Sequence, residues 1–215
     1  MTQATENGPA SPPVSLEITA PRAYDAKQLL MRLLVCAALG LLHQSFGRLF
    51  LALYVLLPMA ASLLIARSDG RGLAPRERAW LQEPIAWIVA FYAYMLFVTD
   101  RFPLDAASRP LTLSIRQGAQ SSTSSGKALF RLLSGLPYAI CIALVGIVAS
   151  VIALILACHV LVARDLPRGL YGFQRDFLAW TAHYFAYLAS LVDETPSARF
   201  TTRPTISAGD GPQSA

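Results

Sequence analysis

Two long apolar runs alternate along the chain with short polar knots, and a more evenly mixed segment follows each knot. The cleaner run, Ala139 to Ala163, passes 25 residues without Asp, Glu, Lys or Arg. At about 1.5 Å per helical residue it reaches roughly 37 Å, beyond a hydrocarbon core of about 30 Å. A helix over residues 128–163 would be longer still, about 54 Å. Pro137 is therefore expected to bend it, leaving "KALFRLLSGL" as an interfacial helix ahead of the span. The other run is clean from Leu49 to Ala66 with Pro58 inside, and Arg32, His43, Gln44 and Arg48 make its approach more polar.

The mixed segments predict amphipathic helices. Trp87, Phe91, Tyr94 and Val98 fall at i, i+4, i+7 and i+11, as do Trp180, Tyr184, Tyr187 and Leu191, so each set lines one helix face. Packing against the long helix with aromatic tips at the bilayer interface, or a cofactor or substrate cleft, would each use such a face. Ahead of the apolar runs, "VSLEI" and "LTLSI" alternate as half-exposed strands do.

These patterns occur twice. "SPPVSLEI" from Ser11 matches "SRPLTLSI" from Ser108 at an offset of 97, "MRLL" at 31–34 matches "FRLL" at 130–133 at 99, and "AWIVAFYAYMLFVTDRFP" matches "AWTAHYFAYLASLVDETP" at 93. Polar landmarks recur in the same order, which is the signature of a duplicated unit. The expected organisation is a tail at 1–10, unit 1 at 11–103, a connector at 104–107, unit 2 at 108–197 and a tail at 198–215, both tails polar and disordered. The fold class is an all-α integral membrane protein of two tandem repeats. Each repeat has a short strand, a long apolar helix, an Arg/Gly turn and an amphipathic aromatic helix, giving about four membrane segments.

Composition agrees with that class, since 54% of residues are hydrophobic and 14% charged, against about 45–50% and about 25% in soluble domains. The polar, Pro-containing first 28 residues do not resemble a secretory signal, so the first apolar helix is expected to direct insertion. Cys36, Cys141 and Cys158 lie in apolar stretches, an odd count without paired spacing, and are expected to be packing residues. The net charge of +5 sits mainly in loops beside apolar segments. Its expected role is to fix topology and touch anionic headgroups, with no nucleic-acid partner.

Candidate chemistry is sparse. No nucleophile with a base, phosphate loop or H-E-x-x-H sequence is present, so a non-enzyme is expected. Cys158, His159 and His183 could approach one another across a helix hairpin, but too few ligands gather there, and no metal or cofactor is expected. The knots carry more weight. Asp165 and Pro167 should stop the long helix, Gly169 and Gly172 should permit a tight return, and Arg164, Arg168 and Arg175 should lie among phosphates, with Tyr171 and Phe173 as interface anchors. Arg67 and Arg71 are the counterparts of Arg164 and Arg168, and the repeat is expected to bring both clusters to one side as a lipid or partner contact. Capping of the long helix's carbonyl end by Arg168 is equally open.

On "PLTLSI", "FRLLSGLPY", "LPRGLYGF", Trp180 and "VDETP", the second unit resembles an uncharacterised family of small bacterial membrane proteins, the domain of unknown function numbered 4389. The first unit resembles it more faintly through "PVSLEI", "GRGLA" and "TDRFP". The resemblance implies a fold and a multi-pass address in the bacterial inner membrane, and no activity. Three function classes stay open: a non-enzymatic protein that organises or assists anionic lipids or a membrane protein partner, a small transporter or lipid-handling protein with a site between the repeats, and a redox or metal-binding subunit. Each unit is expected to cross twice, with the axis relating the units along the membrane normal and the arginine-dense loops 67–79 and 164–176 in the cytoplasm.

Overall fold

A computed structural model describes residues 14–18, 30–32, 45–68, 73–99, 102–103, 111–115, 124–163 and 168–196. The elements are β1 (Val14–Ile18), α1 (Ser45–Arg67), α2 (Pro75–Met95), β2 (Leu111–Ile115), α3 (Ser125–Ala163) and α4 (Arg168–Leu188), with residues 30–32 also helical. Local signals set the helix starts. Pro75 takes a first-turn position where its missing N–H costs nothing, and the Glu77 carboxylate accepts the Ala74 N–H at 2.8 Å. Ser124 Oγ accepts the Lys127 N–H in the same manner ahead of α3.

Two local expectations need correction. α3 runs 39 residues without a break, Pro137 included, so no separate interfacial helix precedes the span. A proline removes one bond of the ladder, and here α3 is held on both sides of it. Leu132 accepts a hydrogen bond from Tyr54 of α1, Gly135 one from Tyr184 of α4, and Ala149 one from Gln174 of α4. Gly169 and Gly172 lie inside α4 rather than in a turn, with open space where a Cβ would stand.

The contacts fix how the helices run. Tyr54 of α1 reaches Leu132 of α3, and Ser62 reaches Ser125 at 3.0 Å, so α1 advances as α3 retreats and the two are antiparallel. α4 is antiparallel to α3 in turn, with Gln174 beside Ala149 and Tyr187 beside Ser134. α2 packs against α4. β1 and β2 form an antiparallel ribbon centred on Leu16↔Leu113, and Leu113, Leu16 and Val14 face the core while Ser15, Thr112 and Ser114 are exposed. β1 lies on α4 and β2 on α2, so each strand packs on the later helix of the other half.

Burial is inverted relative to hydropathy. α1 and α3 hold the two stretches long and apolar enough to cross a membrane, yet only 22% and 17% of those windows are buried. The less apolar α2 and α4 supply most of the core, including Ile85, Ile88, Val89, Tyr94, Leu178, Tyr184 and Phe185. Ala90, Ala93, Ala182 and Ala186, all fully buried, let these inner helices pack closely. In Ser62→Cys/Ser125→Cys, a short bifunctional thiol reagent should link the two positions. Ser62→Cys should not link to the native Cys158, which lies 33 residues further along α3, about 50 Å. Gel mobility after proteolysis between α1 and α3 checks both.

Candidate functional site

The most developed polar constellations tie Arg131, near the start of α3, to the end of α4, and Arg32, in the helical residues 30–32, to the end of α2. Arg131, 2% exposed, donates to the carbonyls of Tyr187 and Val192 at 2.6 Å each and pairs with the Asp193 carboxylate. Its guanidinium lies 4.8 Å over the Tyr187 ring, whose hydroxyl is 2.8 Å from Ser134 Oγ. Arg32, equally buried, donates to the Thr99 carbonyl and sits 4.4 Å from each of the Tyr94 and Phe97 rings. The last four carbonyls of a helix lack partners and carry partial negative charge, so a rigid five-donor cation suits that position.

Both helix ends have the same backbone form. Phe97 and Ser190 adopt the left-handed region, φ 62° and 58°, where glycine is the usual occupant. Val98 N–H then bonds Ala93 O and Leu191 N–H bonds Ala186 O, both at 2.9 Å, while Phe97 and Ser190 bond Tyr94 and Tyr187. These are the two bonds of a Schellman turn. The turn aims the following carbonyls, Thr99 and Val192, back at the arginines.

Between α3 and α4 the polar groups serve packing. Gln174, fully buried, gives its amide hydrogen to Ala149 O at 2.7 Å, and Thr181 bonds Phe177 O within its own helix. At Gly135 a Cβ would stand 3.0 Å from Leu188 Cδ2, so the missing side chain lets the helices close where Tyr184 bonds the Gly135 carbonyl. Burial lowers the His183 pKa, outweighing a hydrogen bond to the Glu194 backbone and the Glu194 charge, so the imidazole is neutral at pH 7. Among the described residues no three His, Cys, Asp or Glu side chains converge as metal ligands would.

The residues singled out from sequence are distributed differently from expectation. Arg67 is exposed at the end of α1, beside the start of α3. Tyr171, Phe173 and Arg175 follow the other end of α3. Because α1 and α3 are antiparallel, Arg67 and Arg175 lie at opposite ends of the long helices. Arg71 and Arg164 lie outside the described residues, as does the side chain of Arg168, the first residue of α4. Tyr171 and Phe173 are half-buried against the core instead of standing free as anchors, and Arg175 pairs with Asp176 at 3.1 Å. Burial raises the Tyr171 phenol above its ordinary pKa, with Arg175 opposing, so it stays protonated.

The aromatic faces are not equivalent either. Tyr94 and Tyr187 are buried beneath the arginines, Trp180 is buried, and Trp87 is 39% exposed, stacked on Phe91 at 5.6 Å. Arg32 and Arg131 were assigned no role from sequence. The signal was present in "MRLL" and "FRLL", each followed much later by an aspartate at the end of the aromatic helix.

With this geometry in view, the chain can be set against known families. The model of a family described as Domain of unknown function (DUF4389) matches residues 125–198, about a third of the chain. The matched segment begins with α3 and extends past Asp193, so it holds the complete Arg131 cap, and it supports the family resemblance. No curated protein and no solved structure matches.

Arg131→Gln should lower unfolding free energy by roughly 2–3 kcal/mol, the scale for hydrogen bonds to a charged group, with Asp193 partly solvated. Ser190→Gly should raise it by about 1 kcal/mol by relieving the left-handed backbone. Thermal unfolding in detergent, read from the loss of near-ultraviolet signal, checks both signs.

Proposed function

We propose that the chain is a non-enzymatic protein of the bacterial inner membrane, made of two copies of one unit, that organises or assists anionic lipids or a membrane protein partner. The observation that carries the membrane assignment is the inverted burial. Eleven large apolar side chains between Leu129 and Ile155 are exposed on α3 alone. Complete burial of each would gain about 1.5–3 kcal/mol, and that sum exceeds the 5–15 kcal/mol by which a typical domain is stable. Water is a poor solvent for such a surface and lipid a good one.

Duplication is supported by the matched sequence landmarks and by matched geometry. The caps at Arg32 and Arg131, the left-handed residues Phe97 and Ser190, and the ribbon centre Leu16↔Leu113 each pair positions at the offsets already present in the sequence. A non-enzymatic role is supported by what the buried polar side chains do: Arg32, Arg131, Gln174 and Thr181 all donate to backbone carbonyls, which is the work of a scaffold. The bacterial inner membrane is drawn from the family resemblance. Anionic lipid is favoured by the arginines at the ends of the apolar helices, each cation near a charged surface contributing about 1 kcal/mol.

The full-length protein should stay with the membrane pellet through an alkaline carbonate wash, and recovery in the supernatant would remove the membrane assignment. Arg67→Gln with Arg168→Gln should weaken retention of phosphatidylglycerol during purification by roughly tenfold or more at low salt, with thermal stability almost unchanged. Unchanged lipid together with a large stability loss would instead make these arginines helix caps.

A further inference from the structure

α1 and α3 present an apolar outer face along their lengths, and the helix directions determine how a bilayer can meet it. Phe97, just past the end of α2, packs on Ala153 and Leu156 near the end of α3. The chain thus leaves α2 beside Leu156 and enters α3 at Ser125, about 46 Å away along the helix. Segment 98–124 has to cover that length, whatever its path, and it contains Asp100, Arg101, Asp105, Arg109 and Arg116. It also contains β2, which is met partway along: Gln82, in the first half of α2, donates to the Leu113 carbonyl at 2.8 Å.

Stood upright in a bilayer, this arrangement would draw the non-helical connection between α2 and α3 across the hydrocarbon and hold a two-stranded ribbon partway through it. Exposed Ser15, Thr112 and Ser114 would then face lipid. Lipid-exposed irregular backbone and polar side chains are costly in hydrocarbon. Laid flat, the same arrangement has no conflict. Among the described residues the ribbon packs on α2 and α4, and neither α1 nor α3 has a contact of that extent with it. The exposed cations Arg67 and Lys127, at adjacent ends of α1 and α3, then stand at the rim of the apolar face, at headgroup level.

We infer that the protein is monotopic: α1 and α3 lie in the plane of one leaflet, their outer face dissolved in its acyl chains, and none of the described segments crosses. This takes the place of the four crossings expected from the sequence, and it rests on the membrane assignment proposed above. The axis relating the two halves then stands along the membrane normal, through the centre of the Leu16↔Leu113 pair. The surface is broad and lies on one side of the molecule, as contact with a single leaflet requires.

Three single-cysteine variants of the full chain separate the alternatives, with Cys36, Cys141 and Cys158 changed to Ala. They are Ser68→Cys at the end of α1, Thr112→Cys on the ribbon, and Gly169→Cys at the start of α4, where a side chain meets open space. Each is treated with a membrane-impermeant maleimide in right-side-out and in inverted inner-membrane vesicles. Monotopic seating expects all three to react from one and the same side and to be protected from the other. Reaction of Thr112→Cys from the side opposite the other two would mean that each half crosses twice, and overturns it. Reaction of Ser68→Cys and Gly169→Cys from opposite sides would mean upright antiparallel halves, and overturns it equally. Loss of all three variants to the soluble fraction under the carbonate wash would overturn the membrane assignment and this inference together, a result distinct from either labelling pattern.

Discussion

A buried guanidinium facing the carbonyl end of a helix is the contact on which the rest of this structure turns. Arg131 is almost wholly buried, and its charge is balanced by two carbonyls, one carboxylate and the face of Tyr187. Removing any one partner leaves an incompletely solvated cation, so the start of α3, the end of α4 and the turn through Ser190 are correct together or not at all. Arg32 imposes the same dependence on the end of α2, where Phe97 accepts a left-handed backbone that its bulk disfavours. With the inner helices tied at their ends, their alanine-lined surfaces can be shared between the two halves. The long helices are left to cover one side.

The strands, the apolar runs and the aromatic helices were legible because each depends on a local period. Residues 14–18 and 111–115 alternate, and the structure has strands there; Leu49 to Ala66 is apolar throughout, and α1 includes it. Direction was not legible. A sequence repeat states that two segments resemble each other, and it carries no information on the rotation between them, so the arginines near Arg67 and Arg175 were placed on one side when the helices put them at opposite ends. Nor did the sequence distinguish a cationic anchor for lipid from a cap. An arginine in an apolar helix is equally a snorkelling side chain or a buried donor, and only the return of Val192 and Asp193 to the same place decides for Arg131. Gly169 and Gly172 misled because glycine is common where chains turn, and here they are two ordinary helical positions.

The inversion of burial is informative because hydropathy and burial ordinarily rise together. α2 and α4 contain Arg76, Glu77, Arg78, Glu83, Arg175 and Asp176, yet they form the core through their apolar faces and leave most of this charge at the margin. Beyond Lys127 and Arg131 near its start, α3 has no Asp, Glu, Lys or Arg, and only 17% of its apolar window is buried. A protein that collapsed in water would reverse these positions. That distribution fits the membrane surface proposed above, with the ribbon's exposed Ser15, Thr112 and Ser114 turned to water.

The exchange of strands between halves has a consequence for the order in which the molecule can be made. β1 is synthesised 97 positions ahead of its hydrogen-bonding partner, and the helix it lies on is complete only at Leu188. Strand pairing of such long sequence separation is slow because the loop must close before any contact compensates. The N-terminal strand is therefore the last element to dock, and the interval of translation between Ile18 and Leu188 is the period in which this chain is most vulnerable to pairing with a neighbour.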